Sequence, residues 1–315
     1  HSGIYYADSS VKARTCVQGA LKLYEYCKTR SIPCRRIGKL IVATDHDEEQ
    51  TLGAYLAQGE RNGVEDLVLL DPLELAEREP EVHGVAALWS PNTGIIDSHS
   101  FMFSLLSEFE KNNGQIVYKT GVASGKGTSA GTELTMLDGY KLLANTVVNV
   151  TGLYASDVSA KLGVDSSTIP VTRYARGRYY SYAAKSPFNH LVYPIASKAG
   201  LGIHATLDMA GQLRFGPDVE WINRLDYSFD GSVIDDFSTA IKLYFPPLKT
   251  SDLQEGYTGI RPKVVGEGED AGDFIIHTPE QTNCPGIYAL YGIESPGLTA
   301  SLALSELLGD MVCQY

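Results

Sequence analysis

Two apolar segments of this chain run through glycine turns directly into helices. Residues 146–150 form a short apolar run that continues through Thr151 and Gly152 into a helical pattern. Residues 287–292 are followed by a turn rich in glycine and proline and then by an apolar helix over residues 298–312. Strands that enter helices in this way are typical of open α/β sheets, where helix starts present backbone N–H groups to a ligand. The sequence therefore predicts a mixed α/β fold.

The middle of the chain has a β-rich pattern instead. Short apolar runs predict strands over residues 178–183, 190–193, 201–206 and 212–215. Helical periodicity predicts helices on either side, over residues 10–28, 98–112 and 233–243. A further strand is predicted over residues 115–123. Asp45 with Glu48 predicts a capping box at the start of a further helix. Helical material on both sides of a β-rich middle predicts two domains that are interleaved in sequence.

Charge and cysteine content exclude several classes of function. The 315 residues carry 26 Lys and Arg against 38 Asp and Glu, a net charge of −12, and no basic cluster offsets it, so nucleic-acid binding is disfavoured. No apolar run approaches the roughly 20 residues of a membrane-spanning helix. The five cysteines include no C-x-x-C pair, so we expect no metal site and a reducing compartment. Small molecules are the expected partners.

Three features are candidates for a site, and each has an alternative interpretation. The turn at residues 292–299 could bind an anionic group at a helix start or be an ordinary helix cap. Arg261 lies between Gly259 and Pro262, which suits a fixed carboxylate clamp, or it is a solvated surface residue. His204 could accept a hydroxyl proton or be a hydrogen-bonded strand residue.

The other glycine-rich stretches do not form a nucleotide-binding fingerprint. Gly125-Lys126-Gly127 lies between two predicted strands, and Gly266, Gly268 and Gly272 enclose acidic residues that would repel a pyrophosphate. Both are predicted to be surface loops. A serine-hydrolase nucleophile elbow is also missing, so hydrolase functions are disfavoured.

An ordered set of short segments resembles the L-2-hydroxyglutarate dehydrogenase/oxidase group of the D-amino-acid-oxidase-like flavoproteins. The segments extend from the first residue almost to the last: HSGIYY (1–6), SPNTGIIDS (90–98), VNVTGLYA (148–155), GRYY (177–180), LVYP (191–194), GIHAT (202–206), GIRPK (259–263) and GIESPGLTA (292–300).

The resemblance implies a two-domain flavoenzyme that oxidises the C2 hydroxyl of L-2-hydroxyglutarate to 2-oxoglutarate with FAD. The FAD-binding, Rossmann-like domain would comprise residues 1–75, 98–165 and 257–315. The substrate domain, an antiparallel β-sheet, would comprise residues 76–97 and 166–256. Related flavoproteins that act on an amino acid or on glycerol 3-phosphate remain alternatives, as does an inactive fragment that only binds a dicarboxylate.

The resemblance also assigns expected roles to individual residues. Arg261 and Tyr180 would bind the substrate carboxylates, and His204 would be the catalytic base. The expected cofactor contacts are His1, Ser2, Gly3, Val122, Gly152, Gly297, Leu298 and Thr299.

This sequence departs from the family pattern in two places. The strand, the G-x-G-x-x-G turn and the ribose-binding acidic residue that open family members would precede His1, so we expect a longer native protein and weak FAD binding by this piece alone. Arg178 stands where the family more often has an acidic residue, which bears on the substrate. The resemblance implies a quinone as electron acceptor, with residence in the mitochondrion of a eukaryote, or in the cytoplasm or peripherally at the inner membrane of a bacterium.

Overall fold

The computed structural model describes residues 1–195 and 202–313. These residues form two compact units. Unit 1 consists of residues 1–104, 176–220 and 226–259, and unit 2 consists of residues 105–175, 221–225 and 260–315, as far as the structure describes them.

The helices and strands are numbered in chain order. The helices are α1 (Val11–Arg30), α2 (His46–Arg61), α3 (Pro72–Arg78), α4 (Ser98–Lys111), α5 (Ala155–Lys161), α6 (Ile234–Lys242), α7 (Pro279–Thr282) and α8 (Gly297–Cys313). The strands are β1 (Cys34–Arg35), β2 (Lys39–Ala43), β3 (Val68–Leu70), β4 (Ala86–Ser90), β5 (Ile95–Ile96), β6 (Val122–Thr128), β7 (Gly131–Met136), β8 (Lys141–Ala144), β9 (Val147–Asn149), β10 (Arg173–Tyr182), β11 (Leu191–Pro194), β12 (Ala205–Leu207), β13 (Leu213–Phe215), β14 (Glu220–Ile222), β15 (Leu253–Lys263), β16 (Ile275–His277) and β17 (Ile287–Tyr291).

The predicted start of α2 is confirmed, with one change in its cap. The Asp45 side chain accepts a hydrogen bond from the Glu48 N–H at 3.1 Å, as an N-cap residue should. The Glu48 carboxylate, however, accepts from the N–H of Thr44 at 2.7 Å and from its hydroxyl at 3.1 Å. The Glu48 side chain therefore bonds to Thr44, one residue before the Asp45 N–H that the predicted capping box would use.

Unit 1 is built on a large mixed sheet. Its strand order is β14-β10-β13-β12-β11-β2-β4-β3, with β15 paired to β10. β2 and β11 are parallel, with Lys39 opposite Leu191 and Ile41 opposite Tyr193. β4 then pairs with β2, and β12 with β11, in antiparallel fashion. One parallel pair at the centre of the sheet thus joins the start of the chain to its β-rich middle.

The two faces of β2 pack into two different cores. Side chains alternate along a strand, so Leu40 and Val42 enter a cluster with Phe215 and Tyr244, while Ile41 and Ala43 enter another. That second cluster contains Ile4, Leu52, Val64, Leu88 and Ile195. Lys39 has the same parity as Ile41, which directs its side chain to the same face as Ile4.

Unit 2 contains two three-stranded sheets. In one, β17 pairs in parallel with β9 and antiparallel with β16. The other is the antiparallel meander β6-β7-β8, and the predicted hairpin at Asp138-Gly139 connects β7 to β8. The parallel pair β9 and β17 places the carboxyl ends of both strands, and the turns that follow them, at one edge of the sheet.

Several predicted elements were wrong or displaced. The strand predicted over residues 115–123 begins only at Val122, and β6 runs through Gly125-Lys126-Gly127, which the sequence had favoured as a loop. Gly125 packs closely, because an added Cβ would lie 2.9 Å from the Leu162 side chain. Of the strand predicted over 201–206, Leu201 lies outside the described residues, and β12 begins at Ala205.

The division into compact units differs from the predicted domain boundaries. Residues 1–75 were assigned with the FAD-binding segments, but they fold within unit 1 together with residues 176–220. The reason is the pairing of β2 with β11, which the sequence did not predict. The segments 105–165 and 260–313 do fold together, in unit 2.

Arg178, the departure from the family pattern, is compensated inside unit 1. Its guanidinium donates to the Asp218 carboxylate from Nε at 2.8 Å and from Nη2 at 2.6 Å, and its backbone N–H donates to the same group at 2.7 Å. The Arg178 side chain is 7% exposed and that of Asp218 is 4% exposed. Glu220 lies 3.2 Å from the same guanidinium. The charge of Arg178 is therefore balanced by a buried ion pair.

Replacing Asp218 by Asn should destabilise unit 1 by about 3 kcal/mol, because breaking a buried pair leaves an incompletely compensated charge. Urea unfolding of the purified variant measures the loss. Glu49→Gln is the matched control, since Glu49 forms an exposed pair with His46 and its removal should change stability by less than about 0.5 kcal/mol. Equal stability of the two variants would show that the Arg178–Asp218 pair contributes no more than a surface pair.

Candidate active site

The first residues of the chain form a tight corner against α1. The N–H of Gly3 donates to Nδ1 of His1 at 3.1 Å, and Nε2 of that ring lies 3.2 Å from the Tyr6 hydroxyl. Gly3 has φ +86°, and a Cβ there would lie 2.9 Å from the Val17 side chain, so this position needs glycine. The corner thus fixes the His1 ring and the backbone beside it.

Ser2, in the same corner, has an unsatisfied polar group. The residue is 6% exposed, and its Oγ is buried without a hydrogen-bond partner among the described residues. Buried polar atoms in folded proteins almost always have a partner, and a ligand is one of the groups that can supply it. The Ser2 hydroxyl is therefore suited to meet a bound molecule.

Lys39 is a buried cation on the central strand β2. It is 1% exposed, its Nζ lies 3.3 Å from the Tyr5 hydroxyl, and it lies over the Tyr5 and Tyr193 rings at 4.8 and 5.1 Å from their centroids. Burial lowers the pKa of Lys39 to about 8. None of the described carboxylates forms an ion pair with Lys39, so its charge is held by aromatic rings and a hydroxyl.

His204 contacts this cluster through Tyr193. The two rings are stacked nearly parallel, 6° apart, with their centroids separated by 3.6 Å. The His204 carbonyl accepts the Gly216 N–H at 2.9 Å, which fixes the backbone just before β12. His204 is half-buried.

A continuous series of contacts therefore joins His1 to His204 within unit 1. His1 meets Tyr5 edge-on at 5.9 Å, Lys39 contacts both Tyr5 and Tyr193, and Tyr193 stacks on His204. The structure brings together two residues that the sequence assigned to a site separately. It also adds Lys39, Tyr5 and Tyr193, which the sequence analysis did not single out.

In unit 2, a buried polar network shapes the turn after β9. The Asn149 side chain donates to the Ala155 carbonyl at 2.8 Å and to the Ser159 hydroxyl at 2.9 Å, and it accepts from the Thr151 hydroxyl at 2.7 Å. Ser159 in turn lies 2.7 Å from the Tyr291 hydroxyl. The network ties β9, its turn, α5 and β17 together, and it fixes the backbone around Gly152.

Gly152 and the start of α8 follow the two parallel strands β9 and β17. Gly152 has φ +60°, and a Cβ built on it would meet no atom within 4 Å, so open space lies beside this backbone. Residues Gly297, Leu298 and Thr299 form the first turn of α8, and the Gly297 N–H donates to the Glu294 carbonyl. The predicted cofactor residues of unit 2 thus share one sheet edge, apart from Val122.

Val122 lies in the other sheet of unit 2. It begins β6 opposite Met136, and a register shift between Val122 and Ser124 leaves Ala123 without a partner on β7. Such a bulge exposes backbone groups that regular pairing would occupy.

Arg261 lies on β15, a strand that the sequence analysis did not predict. Lys263, two residues further along, pairs with Glu294 at 2.7 Å, next to the turn that leads to Gly297. Alternation along a strand puts Arg261 and Lys263 on the same face. Arg261 is half-buried, and no described carboxylate pairs with its guanidinium, so the charge is available to a ligand.

Tyr180 has a packing role in this structure. The side chain is fully buried in the core of unit 1 against Phe229 and Phe237, and its hydroxyl donates to the Gly231 carbonyl at 3.4 Å. A ring without exposed surface cannot reach a dissolved carboxylate, so the expected substrate contact of Tyr180 has no support in this geometry.

Comparison with known proteins agrees with this arrangement. The family model described as FAD dependent oxidoreductase, DAO, matches residues 1–311. The chain belongs to this family. Among curated relatives, L-2-hydroxyglutarate dehydrogenase, mitochondrial, of Arabidopsis thaliana is 38% identical over 98% of this chain and 73% of its own length. The protein of the same name from Homo sapiens is 29% identical, covering 100% of this chain and 78% of the relative.

Solved structures of the same fold extend the comparison. An L-alpha-glycerophosphate oxidase from Mycoplasma pneumoniae with FAD bound superposes with a TM-score of 0.85 at 21% identity, over 99% of this chain and 82% of that one. The L-proline dehydrogenase from P. horikoshii gives 0.81 at 18% identity, over 98% and 80%. At these identities the likeness shows the fold, which is that of an FAD-dependent oxidoreductase.

The residues of this flavoprotein fit its FAD cofactor. In unit 2, the open space at Gly152 and the helix start at Gly297 are suited to a bound cofactor. In unit 1, taken by itself, the Ser2 hydroxyl has no partner among the described residues and is suited to meet a bound molecule. Within residues 1–195 and 202–313, no group of three His, Cys, Asp or Glu side chains is arranged to hold a metal ion. In the same residues, no helix has the length and apolar character that crossing a membrane requires.

Replacing the buried Lys39 by Met should raise the stability of the chain at pH 7 by up to about 3 kcal/mol. The lysine has a folded-state pKa of about 8 against 10.5 unfolded, so folding at pH 7 holds a charge that burial disfavours. The unfolded state binds more protons than the folded state between these values, so the stability of the unmodified chain should rise over about pH 8 to 10.

The advantage of Lys39→Met over the unmodified chain should therefore shrink across that range, as measured by urea unfolding at several pH values. Tyr5 and Cys16, whose pKa values burial raises, titrate in both proteins, so the comparison removes the part of their contributions that does not depend on Lys39. Lys185→Met, at an exposed position of unit 1, is the control and should show no such trend. A pH-independent difference would mean that Lys39 is not held as a destabilised charge.

Proposed function

We propose that this flavoprotein oxidises the C2 hydroxyl of L-2-hydroxyglutarate to 2-oxoglutarate. The observation that carries the proposal is the series of contacts from His1 through Lys39 to His204, which holds an imidazole beside a buried cation. The named activity of the relatives, at up to 38% identity over nearly the whole chain, supports the same substrate. Bound FAD supplies the acceptor for the hydride that leaves C2.

His204 is the proposed base for the hydroxyl proton. Oxidation of an alcohol removes a hydride from carbon and a proton from oxygen, and an imidazole can accept that proton near neutral pH. Stacking on Tyr193 and the hydrogen bond from Gly216 to its carbonyl hold His204 in one orientation. A fixed ring keeps the accepting nitrogen in place while the substrate binds and leaves.

Arg261 is the proposed binding residue for a substrate carboxylate. A half-buried guanidinium that no described carboxylate neutralises is suited to a bidentate pair with a carboxylate. Lys263, on the same strand face, is already paired with Glu294, so it holds the strand against the turn before α8. Lys263 is therefore occupied by Glu294, whereas the Arg261 guanidinium can bind the ligand.

The proposed FAD contacts are the residues to which the sequence assigns that role. His1, Ser2 and Gly3 would contact FAD through the Ser2 hydroxyl and the fixed backbone of the corner. The other proposed contacts are Val122, Gly152, Gly297, Leu298 and Thr299. The N–H groups at the start of α8 and the positive end of its dipole favour negative charge on a bound group.

Two further features of the function are proposals. We propose a quinone as the electron acceptor, as the family resemblance of the sequence implies. We also propose residence in the mitochondrion if the organism is a eukaryote, in line with the names of the relatives. Action on glycerol 3-phosphate or an amino acid is less well supported, because the oxidases of those substrates are similar in fold at 21% identity or less.

Replacing Arg261 by Lys should raise the KM for L-2-hydroxyglutarate at least tenfold while leaving FAD affinity within a factor of two, since a point charge cannot replace a bidentate fork. Steady-state kinetics of the flavin-loaded protein and fluorescence titration with FAD measure the two effects. Arg224→Lys, at an exposed position, should leave both values unchanged. An unaltered KM would remove Arg261 from the substrate site.

Replacing His204 by Ala should slow anaerobic flavin bleaching by L-2-hydroxyglutarate about a hundredfold or more, because general base catalysis contributes roughly 10²–10⁴ in rate. FAD content, measured by absorbance, should be unchanged. His83→Ala, at an exposed position in unit 1, serves as the control. A normal bleaching rate in His204→Ala would exclude this residue as the base. If only the D enantiomer bleached the flavin of the unmodified chain, the proposed substrate would be wrong.

A further inference from the structure

Glu79 is a buried carboxylate at the end of α3. It is the C-cap residue of that helix and is 0% exposed. Its Oε1 accepts hydrogen bonds from the N–H groups of Asn189 and His190, each at 2.7 Å. Nδ1 of the His190 ring lies 2.7 Å from the same oxygen. One carboxylate oxygen therefore meets three polar atoms of the two residues that precede β11.

The second oxygen of Glu79 shows that stability alone does not explain this residue. Oε2 is buried without a hydrogen-bond partner among the described residues. Within the same part of the chain, the half-buried His190 is the ion-pair partner of Glu79. A buried carboxylate oxygen without a partner lowers stability. Such costs are expected where function requires a particular geometry.

The backbone that enters β11 is fixed at three consecutive N–H groups. Glu79 accepts the first two, and the N–H of Leu191 donates to the Gly38 carbonyl at 3.1 Å. β11 then pairs with β2, with Tyr193 opposite Ile41. Because Tyr193 lies two residues after Leu191, the position of its ring depends on where this strand begins.

The Tyr193 ring connects β11 to the candidate active site. It stacks on the His204 ring with the centroids 3.6 Å apart, and its centroid lies 5.1 Å from the Lys39 ammonium. A displacement of β11 would move the Tyr193 ring and change the orientation of the imidazole stacked on it. A misplacement of about 1 Å can lower the rate of an enzyme reaction roughly 100-fold.

We propose that Glu79 is a positioning residue, which holds the start of β11 so that Tyr193 orients His204. This inference rests on the proposed function, in which His204 is the base. Glu79 itself touches neither substrate nor cofactor in this role. Its effect comes from the reach of the side chain to two backbone N–H groups, and not from its charge.

Two variants separate the reach of Glu79 from its charge. Glu79→Asp keeps the charge but is one methylene shorter, so its carboxylate cannot reach both N–H groups from the end of α3. Glu79→Gln keeps the length and one acceptor oxygen. With FAD added to the full chain, the rate of anaerobic flavin bleaching by L-2-hydroxyglutarate should fall at least about tenfold in Glu79→Asp and stay within about threefold in Glu79→Gln.

The kinetics distinguish positioning from a merely structural role. Rates are expressed per bound flavin, so a loss of folded protein does not count as a loss of rate. The KM for L-2-hydroxyglutarate should change less than about threefold in either variant, because the proposed carboxylate contact of Arg261 is unaltered. Glu77→Gln, at an exposed position of α3, is the matched control and should leave rate and KM unchanged.

Amide hydrogen exchange of the same proteins, measured by mass spectrometry, needs no reaction. Peptides that cover residues 188–194 should exchange faster in Glu79→Asp than in the unmodified chain, whereas Glu79→Gln should match the unmodified chain. Peptides that cover β17 in unit 2 should exchange equally in all of these proteins.

Three outcomes would overturn the inference: an unchanged bleaching rate in Glu79→Asp, a tenfold loss of rate in Glu79→Gln, or unchanged exchange of residues 188–194 in Glu79→Asp. If Glu79→Asp does not fold, the rate of Glu79→Gln still decides between reach and charge. An unmodified chain that binds FAD but is not bleached by L-2-hydroxyglutarate would instead overturn the proposed function, so the two failures are distinguishable.

Discussion

The parallel pairing of β2 with β11 is the constraint on which unit 1 depends. It aligns Lys39 with Leu191 and Ile41 with Tyr193, although these residues are far apart in sequence. Because of this register, the Lys39 ammonium lies near the Tyr193 ring, and the ring of His204, just before β12, can stack against Tyr193. A shift of the β2–β11 register by one residue would turn each side chain to the other face of the sheet and separate the residues of this cluster.

Unit 2 also depends on a parallel pair of strands, with different side chains around it. β9 and β17 run parallel, so the turns that follow them lie at one edge, and the Asn149–Ser159–Tyr291 network fixes the geometry of the first turn. Burial raises the pKa of Tyr291, which keeps its hydroxyl protonated and able to bond with Ser159. Each unit, taken by itself, therefore holds a fixed set of groups, cationic and aromatic in unit 1 and a turn and a helix start beside parallel strands in unit 2.

Local sequence patterns predicted most helices and strands, but they did not predict the pairing of strands that are distant in sequence. The helix starting after Asp45, the hairpin at Asp138-Gly139 and the strand-to-helix turns all follow from residues a few positions apart. The pairing of β2 with β11 has no local signal, which is why the compact units differ from the domain boundaries expected from the sequence. Most of β6 was missed because Gly125 and Gly127 are typical of a loop, although Gly125 permits close packing against Leu162.

Two residues of the candidate site that the sequence analysis did not single out have a recognisable signal in the sequence. Lys39 is a cation at the start of the apolar run Leu40-Ile41-Val42-Ala43, and Asn149 is an amide inside a buried strand. Both signals were overlooked because each residue type is usually exposed, and only burial makes it informative. Tyr180, which the resemblance assigned to the substrate, is buried in the core of unit 1, and its substrate contact stays a prediction.

The buried cation also resolves how an acidic protein can receive a dicarboxylate. A net charge of −12 is spread over the surface and is screened by salt within about 10 Å, whereas Lys39 is buried and Arg261 is half-buried. Neither has a described carboxylate partner, in contrast to Arg178, which is neutralised by Asp218 and Glu220. Attraction in a low-dielectric environment is stronger than the distant repulsion of surface carboxylates. The position of a few unneutralised cations, and not the overall charge, therefore decides which anion the protein accepts.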